Sequence, residues 1–235
     1  MPEIVERLII SARTLFADTF APRSCVRCYA LINNRYLCQP CCAASGINLA
    51  ASCVVCDRRR PHDAASLTPC CERTPATLWS LGPYEQPALA RLIATGKFAG
   101  AYDCFDWLGQ LLGQELEPVM PLFAEAVLVP IPMTKPDERR RGFNQSAIIA
   151  DALSRTTGLS IASCLTKIRE TKPQRTLDRD QRPENVRDAF AVTGTVPRFA
   201  IIVDDVKTTG ATLREAGRVL RQAGAKTVLA ITIAR

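Results

Sequence analysis

Hydrophobic positions divide the 235 residues into three stretches of different texture. In the first, Val5, Leu8, Ile9, Ala12, Leu15 and Phe16 fall at helical spacing, which predicts a short amphipathic helical leader over residues 1–20. Acids at Glu3, Glu6 and Asp18, with no small-residue cleavage signature after an apolar stretch, distinguish it from a signal peptide. Residues 21–76 hold few large apolar side chains and several prolines. Such a segment cannot build a conventional core and needs a staple. From Trp79 onward the pattern turns to ordinary α/β alternation, so a third region is expected over residues 77–235.

In that region Pro87–Ala94, Asp103–Glu117 and Phe143–Thr157 carry helical periodicity, the last stopped by Gly158. Ala126–Ile131 is a short apolar run beside Pro130 and Pro132, as for a buried strand giving way to a loop. Phe199–Val203 predicts a strand, Ala211–Ala223 a helix closed by Gly224, and Thr227–Ile233 a further strand. Strand, loop, helix and strand in this order make a parallel, right-handed crossover unit. The fold class expected is therefore α/β: a parallel sheet flanked by helices, with a small amino-terminal module. Lys167–Asp188 is polar and nearly aperiodic, and a loop that long in a compact domain is usually functional, often a lid, or else disordered.

Composition sharpens this. With 47% apolar residues a real core can be buried. No apolar run approaches the roughly 18–20 residues that span a membrane, so a cytoplasmic protein is expected. The net charge of +7 is concentrated: Arg139 to Arg187 holds eleven Lys and Arg against five Asp and Glu. A positive field there favours phosphate-bearing ligands, small or polymeric, although a solvated basic loop has the same composition.

Nine of the eleven cysteines lie between Cys25 and Cys71. In a reducing compartment metal is the better reading than disulfides. Cys25-x2-Cys28 and Cys38-x2-Cys41 are two knuckles whose four thiolates match a tetrahedral structural zinc site. Cys53-x2-Cys56 begins a second site, with Cys70 and Cys71 as irregular partners. Its fourth ligand could be Cys71, His62 or Cys42, and ligands could also interleave between the pairs, so one or two zinc ions are expected. Cys104 and Cys164 suit core thiols.

The sharpest constellation is FAIIVDDVKTTGAT, residues 199–212. Five apolar residues form a buried strand, two acids follow, and a small-residue turn opens a helix. Ligands of open α/β sheets bind beyond the carboxyl ends of strands, and a helix amino terminus offers unpaired N–H groups to an anion. Gly210 lets the backbone approach a phosphate, while Thr208, Thr209 and Thr212 add hydroxyl donors. Asp204 and Asp205 suit the neutral neighbours of that phosphate, vicinal ribose hydroxyls, and can help hold Mg²⁺. The spacings of a Walker loop and of a dinucleotide-binding glycine signature are both absent.

This segment resembles the phosphoribosyl pyrophosphate loop of type I phosphoribosyltransferases. The resemblance implies that Asp204 and Asp205 contact the ribose hydroxyls and that Lys207, Thr208, Thr209, Gly210, Ala211 and Thr212 wrap the 5-phosphate. It also implies that the loop from Val129 and Pro130 to Pro132 contacts pyrophosphate. RRGFNQS at 140–146, LIATGKF at 92–98, Gln174 and Leu177 in KPQRTLDRDQR, and ENVRDAF at 184–190 narrow the resemblance to the ComF family. That family joins a zinc-binding module to a phosphoribosyltransferase-like domain and includes competence proteins implicated in using external DNA. Arg141 could grip a phosphate bidentately, and Asn144 could cap the helix that follows it. Lys97 could simply be solvated. Arg175, Arg179 and Arg182 could close over pyrophosphate or remain solvated.

Two classes of function follow. One is an enzyme in which a nucleophile displaces pyrophosphate from phosphoribosyl pyrophosphate with Mg²⁺, using Asp204, Asp205 and Arg141; no general base for an acceptor stands out. A nucleotide-salvage enzyme of this kind has no obvious need of an appended zinc module. The other is a non-catalytic adaptor engaging single-stranded DNA through the 139–187 stretch and competence-machinery proteins through the zinc module. Strand binding calls for stacking aromatics, and between Arg139 and Arg187 Phe143 stands alone.

Overall fold

The computed structural model describes residues 24–32, 36–71, 74–98, 101–171 and 182–235. The expected leader helix over 1–20 lies outside the described residues, as do Gln174, Arg175, Leu177 and Arg179. Two compact units divide the chain, Met1–Ile47 and Asn48–Arg235.

Among its described residues the smaller unit contains a short chain reversal. Ser24 and Leu31 form an isolated antiparallel bridge, and between them Tyr29 N donates to Cys25 O at 2.8 Å. Helix α1 (Gln39–Ala43) begins directly after Cys38, with Pro40 in its first turn, where the missing N–H is no loss.

The larger unit is built on strands β1 (Ala50–Ser52), β2 (Leu78–Ser80), β3 (Val127–Pro130), β4 (Ser160–Ile161), β5 (Leu165–Lys167), β6 (Phe190–Val192), β7 (Phe199–Val206) and β8 (Thr227–Ala234). Six of them form one sheet in the order β1-β2-β8-β7-β3-β4, and β5 pairs with β6 apart from it. Every neighbour in the large sheet is parallel except β1, which runs antiparallel to β2. Its helices are α2 (Pro87–Phe98), α3 (Asp103–Leu116), α4 (Lys135–Arg141), α5 (Gln145–Thr157), α6 (Arg182–Val186) and α7 (Ala211–Gln222). This is the expected α/β architecture.

A parallel strand covered on both faces is apolar throughout rather than alternating. Ala200, Ile201, Ile202 and Val203 of β7 are all fully buried, as are Leu229, Ala230 and Ile231 of β8. On one face Ala200, Ile202, Val129 and Ala230 pack with Leu213, Ala216 and Leu220 of α7. The same cluster takes in Val54, from the turn between Cys53 and Cys56.

Several elements extend or differ from the sequence expectation, each for a local reason. Helix α2 runs beyond Ala94 to Phe98 and so carries Lys97 in its last turn. Strand β7 continues through both acids to Val206, because β8 runs beside it and pairs Asp204 with Thr232 and Val206 with Ala234. Helix α4, for which no periodicity argued, is short and polar; Thr134 caps it and Gly142, with φ of 84°, ends it. Helix α5 starts at Gln145 rather than Phe143 because Asn144 is its cap.

Helices α3 and α5 cross closely. A Cβ on Gly109 would lie 2.6 Å from Ala152 Cβ and 3.1 Å from the Ile149 carbonyl oxygen. Glycine here costs about 1 kcal/mol of helix propensity, which the close approach offsets. Gly109→Ala is expected to lower stability by about 1–3 kcal/mol through overpacking, despite its better propensity. The check is a reduced urea midpoint at unchanged slope; an unaltered midpoint would contradict so tight a crossing.

Candidate functional site

The site forms where β3, β7 and α5 meet. Side chains alternate along a strand, so consecutive acids at the end of β7 diverge. Asp205 Oδ2 lies 2.5 Å from Lys97 Nζ on α2. Asp204 Oδ1 accepts hydrogen bonds from Ser146 Oγ and Asp205 N, both at 2.9 Å. Burial, and then the neighbouring Asp205 carboxylate, push Asp204 up to about 7 despite these donors.

Ser146 is in place because Asn144 is. The Asn144 carboxamide oxygen accepts from Ser146 N at 3.0 Å and Ala147 N at 3.4 Å, while its Nδ2 donates to the Ile131 carbonyl at 3.1 Å. The expected helix cap thus also ties α5 to the end of β3. Ile131 N in turn donates to Val203 O at 2.9 Å, so β3–β7 pairing persists past Pro130. Val129 is fully buried in β3 and Pro130 half-buried at its end; the turn opens after Ile131.

The segment after β7 folds tightly. Lys207 N donates to Ala234 O at 2.9 Å, and Arg214 Nη1 to Thr209 O at 2.7 Å. Gly210, with φ of 72°, is the amino-terminal cap of α7, followed by Ala211 and Thr212 in its first turn. Thr208 is exposed and Thr209 half-buried. The Lys207 side chain, 5% exposed, turns away to form an ion pair with Asp57.

Arg141 stands exposed in the last turn of α4, its Nη1 donating to Gln145 Oε1 at 2.8 Å. Lys167, at the end of β5, donates to Thr171 Oγ1 at 2.8 Å. Burial lowers its pKa, against the opposing pull of the Asp137 and Asp204 carboxylates. Sequence reasoning left out Ser146, Lys167 and Asp57, and for Lys97 it left solvation open. The run of α2 to Phe98 instead brings Lys97 onto Asp205.

The cysteines gather into two quartets, Cys25, Cys28, Cys38 and Cys41 in the smaller unit and Cys53, Cys56, Cys70 and Cys71 in the larger. All sulfurs of a quartet lie within 4.8 Å of one another. Cys28–Cys38, Cys56–Cys70 and Cys53–Cys71 are separated by 3.6, 3.7 and 3.9 Å. Tetrahedral zinc with bonds of about 2.3 Å sets its sulfurs about 3.8 Å apart, so both quartets could hold zinc structurally. Cys71 is therefore the fourth member of the second quartet, and the pairs do not interleave. His62 instead lies against Trp79, ring centroids 4.9 Å apart. Burial alone would raise the Cys25 thiol, but backbone N–H groups of Cys38, Cys28 and Arg27 bring it down to about 6. The Arg58 N–H similarly helps bring Cys56 to about 7. Hydrogen bonding within each quartet, first from Cys38 and Cys53 respectively, pushes Cys41 and Cys70 up to about 12. A bound cation would favour the thiolate form of all four sulfurs.

No protein-family model matches the chain. Among characterised proteins it is similar to DNA utilization protein YhgH of Salmonella typhi, 31% identical over 196 residues covering 80% of this chain and 85% of that one. It is 28% identical to Competence protein F of Haemophilus influenzae over 163 residues, 66% of this chain and 71% of the relative. Competence protein ComFC of Streptococcus pneumoniae matches at 29% over 153 residues, 65% of each chain.

Two outcomes are expected. Cys71→Ser should lose one of two zinc equivalents, read by elemental analysis, whereas Cys42→Ser and His62→Ala retain both; two equivalents in Cys71→Ser would refute the grouping. The Asp204 carboxyl titrates near 3.8 unfolded and near 7 folded. Folding therefore takes up a proton between those values, and stability falls as pH rises through that window. In magnesium-free buffer Asp204→Asn should exceed wild type in unfolding free energy at about pH 8, by up to a few kcal/mol by urea titration, and the gain should shrink toward about pH 5. A pH-independent difference would be the contrary result.

Proposed function

The chain belongs to the ComF family, and from that membership we propose that it binds phosphoribosyl pyrophosphate or a related ribose 5-phosphate ligand with Mg²⁺, in the service of natural competence and the use of external DNA. The names of its relatives, for competence and for DNA utilisation, support the biological half of this reading. One observation carries the chemical half: paired carboxylates at the carboxyl end of β7 stand beside the Gly210-capped amino terminus of α7.

Each part has a physical task. Asp204 and Asp205 accept hydrogen bonds from the vicinal ribose hydroxyls, with Ser146 and Lys97 fixing their directions. The first-turn N–H groups of α7, with the hydroxyls of Thr208, Thr209 and Thr212, take the 5-phosphate. The turn after Ile131 and Arg141 face the pyrophosphate. The carboxylate pair fits a hard dication, since its own charge already raises Asp204. Bound there, Mg²⁺ supplies charge neutralisation to the phosphates. If a nucleophile attacks the anomeric carbon and pyrophosphate departs, this chain contributes positioning and charge stabilisation.

A second reading, an adaptor for single-stranded DNA, draws on Arg139, Arg140 and Arg141, all exposed in one turn of α4. Salt-sensitive DNA affinity that falls on neutralising these three would favour it.

The test is calorimetric titration of zinc-loaded protein with phosphoribosyl pyrophosphate, with and without Mg²⁺, beside Asp204→Asn/Asp205→Asn. Magnesium-dependent binding that the variant weakens by about 100-fold or more is expected, from loss of two charged acceptors. A folded wild type that binds nothing would overturn the reading.

A further inference from the structure

The second cysteine quartet does not stand apart from the β7–α7 segment. Strand β1 ends at Ser52, and the chain then turns through Cys53, Val54, Val55, Cys56 and Asp57. Backbone bonds shape this knuckle: Cys53 N donates to Arg58 O at 2.9 Å and Asp57 N to Cys53 O at 3.1 Å. Val55 N points at Cys53 Sγ, 3.3 Å away. The knuckle lies against residues 207–210. Val54, fully buried, belongs to the cluster under α7. A Cβ on Gly210 would fall 2.9 Å from Val54 Cγ1 and 3.0 Å from the Val54 carbonyl oxygen. Next to it Asp57, at φ of 56°, forms the ion pair with Lys207.

These contacts have a direction of dependence. Lys207 is 5% exposed and Asp57 48% exposed, so the buried ammonium needs the carboxylate more than the reverse. Gly210 holds its left-handed conformation with the Val54 backbone filling the space where a side chain would be. The knuckle is in turn fixed at its sulfurs, because Cys53 meets Cys71 and Cys56 meets Cys70. A bound cation would hold the four sulfurs in a tetrahedron more firmly than these thiol contacts do.

We infer that Asp57 and Val54 are positioning residues for the 207–212 segment, Lys207 serving as a strut, and that metal occupancy of the Cys53, Cys56, Cys70 and Cys71 quartet sets that segment's order and its affinity for a phosphate ester. The ligand named rests on the phosphoribosyl reading above; the strut does not. Loss of metal by chelation then loosens the amides that face the anion.

The experiment is amide hydrogen exchange on the full zinc-loaded chain, read over residues 208–212, with zinc content and magnesium phosphoribosyl pyrophosphate affinity measured on the same samples. Asp57→Asn should retain both zinc equivalents yet raise exchange over 208–212 by about tenfold or more, with a comparable loss of affinity. Cys71→Ser should do the same with one equivalent lost. Asp57→Asn/Lys207→Met, which removes both charges, should recover much of the protection. Unchanged exchange in β3 and α3 serves to show that each variant is folded. Wild-type exchange over 208–212 in Asp57→Asn, or a Cys71→Ser effect confined to residues 50–71, would overturn the inference. Coupled exchange in a wild type that binds no ligand would support the strut and overturn the phosphoribosyl reading instead.

Discussion

Two carboxylates on consecutive residues at the end of a buried strand repel each other and resist losing water, and much of the larger unit is arranged around holding them. Strand β7 is kept straight through both by its pairing with β8, so the acids diverge instead of curling into a turn. One meets an ammonium carried by the last turn of α2, the other a hydroxyl carried by the first turn of α5. Both helices are tied to α3: α5 crosses it at Gly109, and Gly96 of α2 would place a Cβ 2.7 Å from the Phe105 ring. The site is thus assembled by helix packing at a distance as much as by the strand that bears it. The arrangement leaves negative charge incompletely answered, and the Asp204 carboxyl stays well above the usual carboxylate range.

What the sequence made legible is what local chemistry encodes. The apolar run of β7, the glycine-capped entry to α7 and the apolar run of β8 identify one another by order and spacing alone. So did the cysteine pairs, because Cys-x2-Cys geometry is short-range. Partners that depend on the crossing of distant elements left no such trace. Lys97 could pass for a solvated charge because nothing near it in the chain announces Asp205, more than a hundred residues later. Asp57 followed a knuckle and carried no pattern of its own. Cys71 broke the expected spacing, and only the fold of residues 53–71 brings its sulfur to Cys53. The polar helix α4 escaped periodicity because it buries no residue; its signals are the Thr134 cap and the Gly142 stop.

Composition and compactness divide this chain at different places. By composition the cysteine-rich stretch runs to about residue 76; by packing the break falls after Ile47. The second quartet lies on the far side of that break, and its turn contributes Val54 to the main core. The two quartets therefore differ in kind: one organises a small unit of its own, while the other is set into the larger unit beside the segment that follows β7.

Strand β1 lies outside β2 and supplies the antiparallel border of an otherwise parallel sheet. Its three residues cover Leu78, Trp79 and Ser80, which are fully buried. A truncation made at the compositional boundary, to isolate the region after residue 76, would strip this border. It would bare an apolar strand with unanswered backbone groups, a ready template for strand addition between molecules. A shortened chain meant to remain monodisperse should instead begin no later than Asn48, keeping β1 as the sheet's own guard.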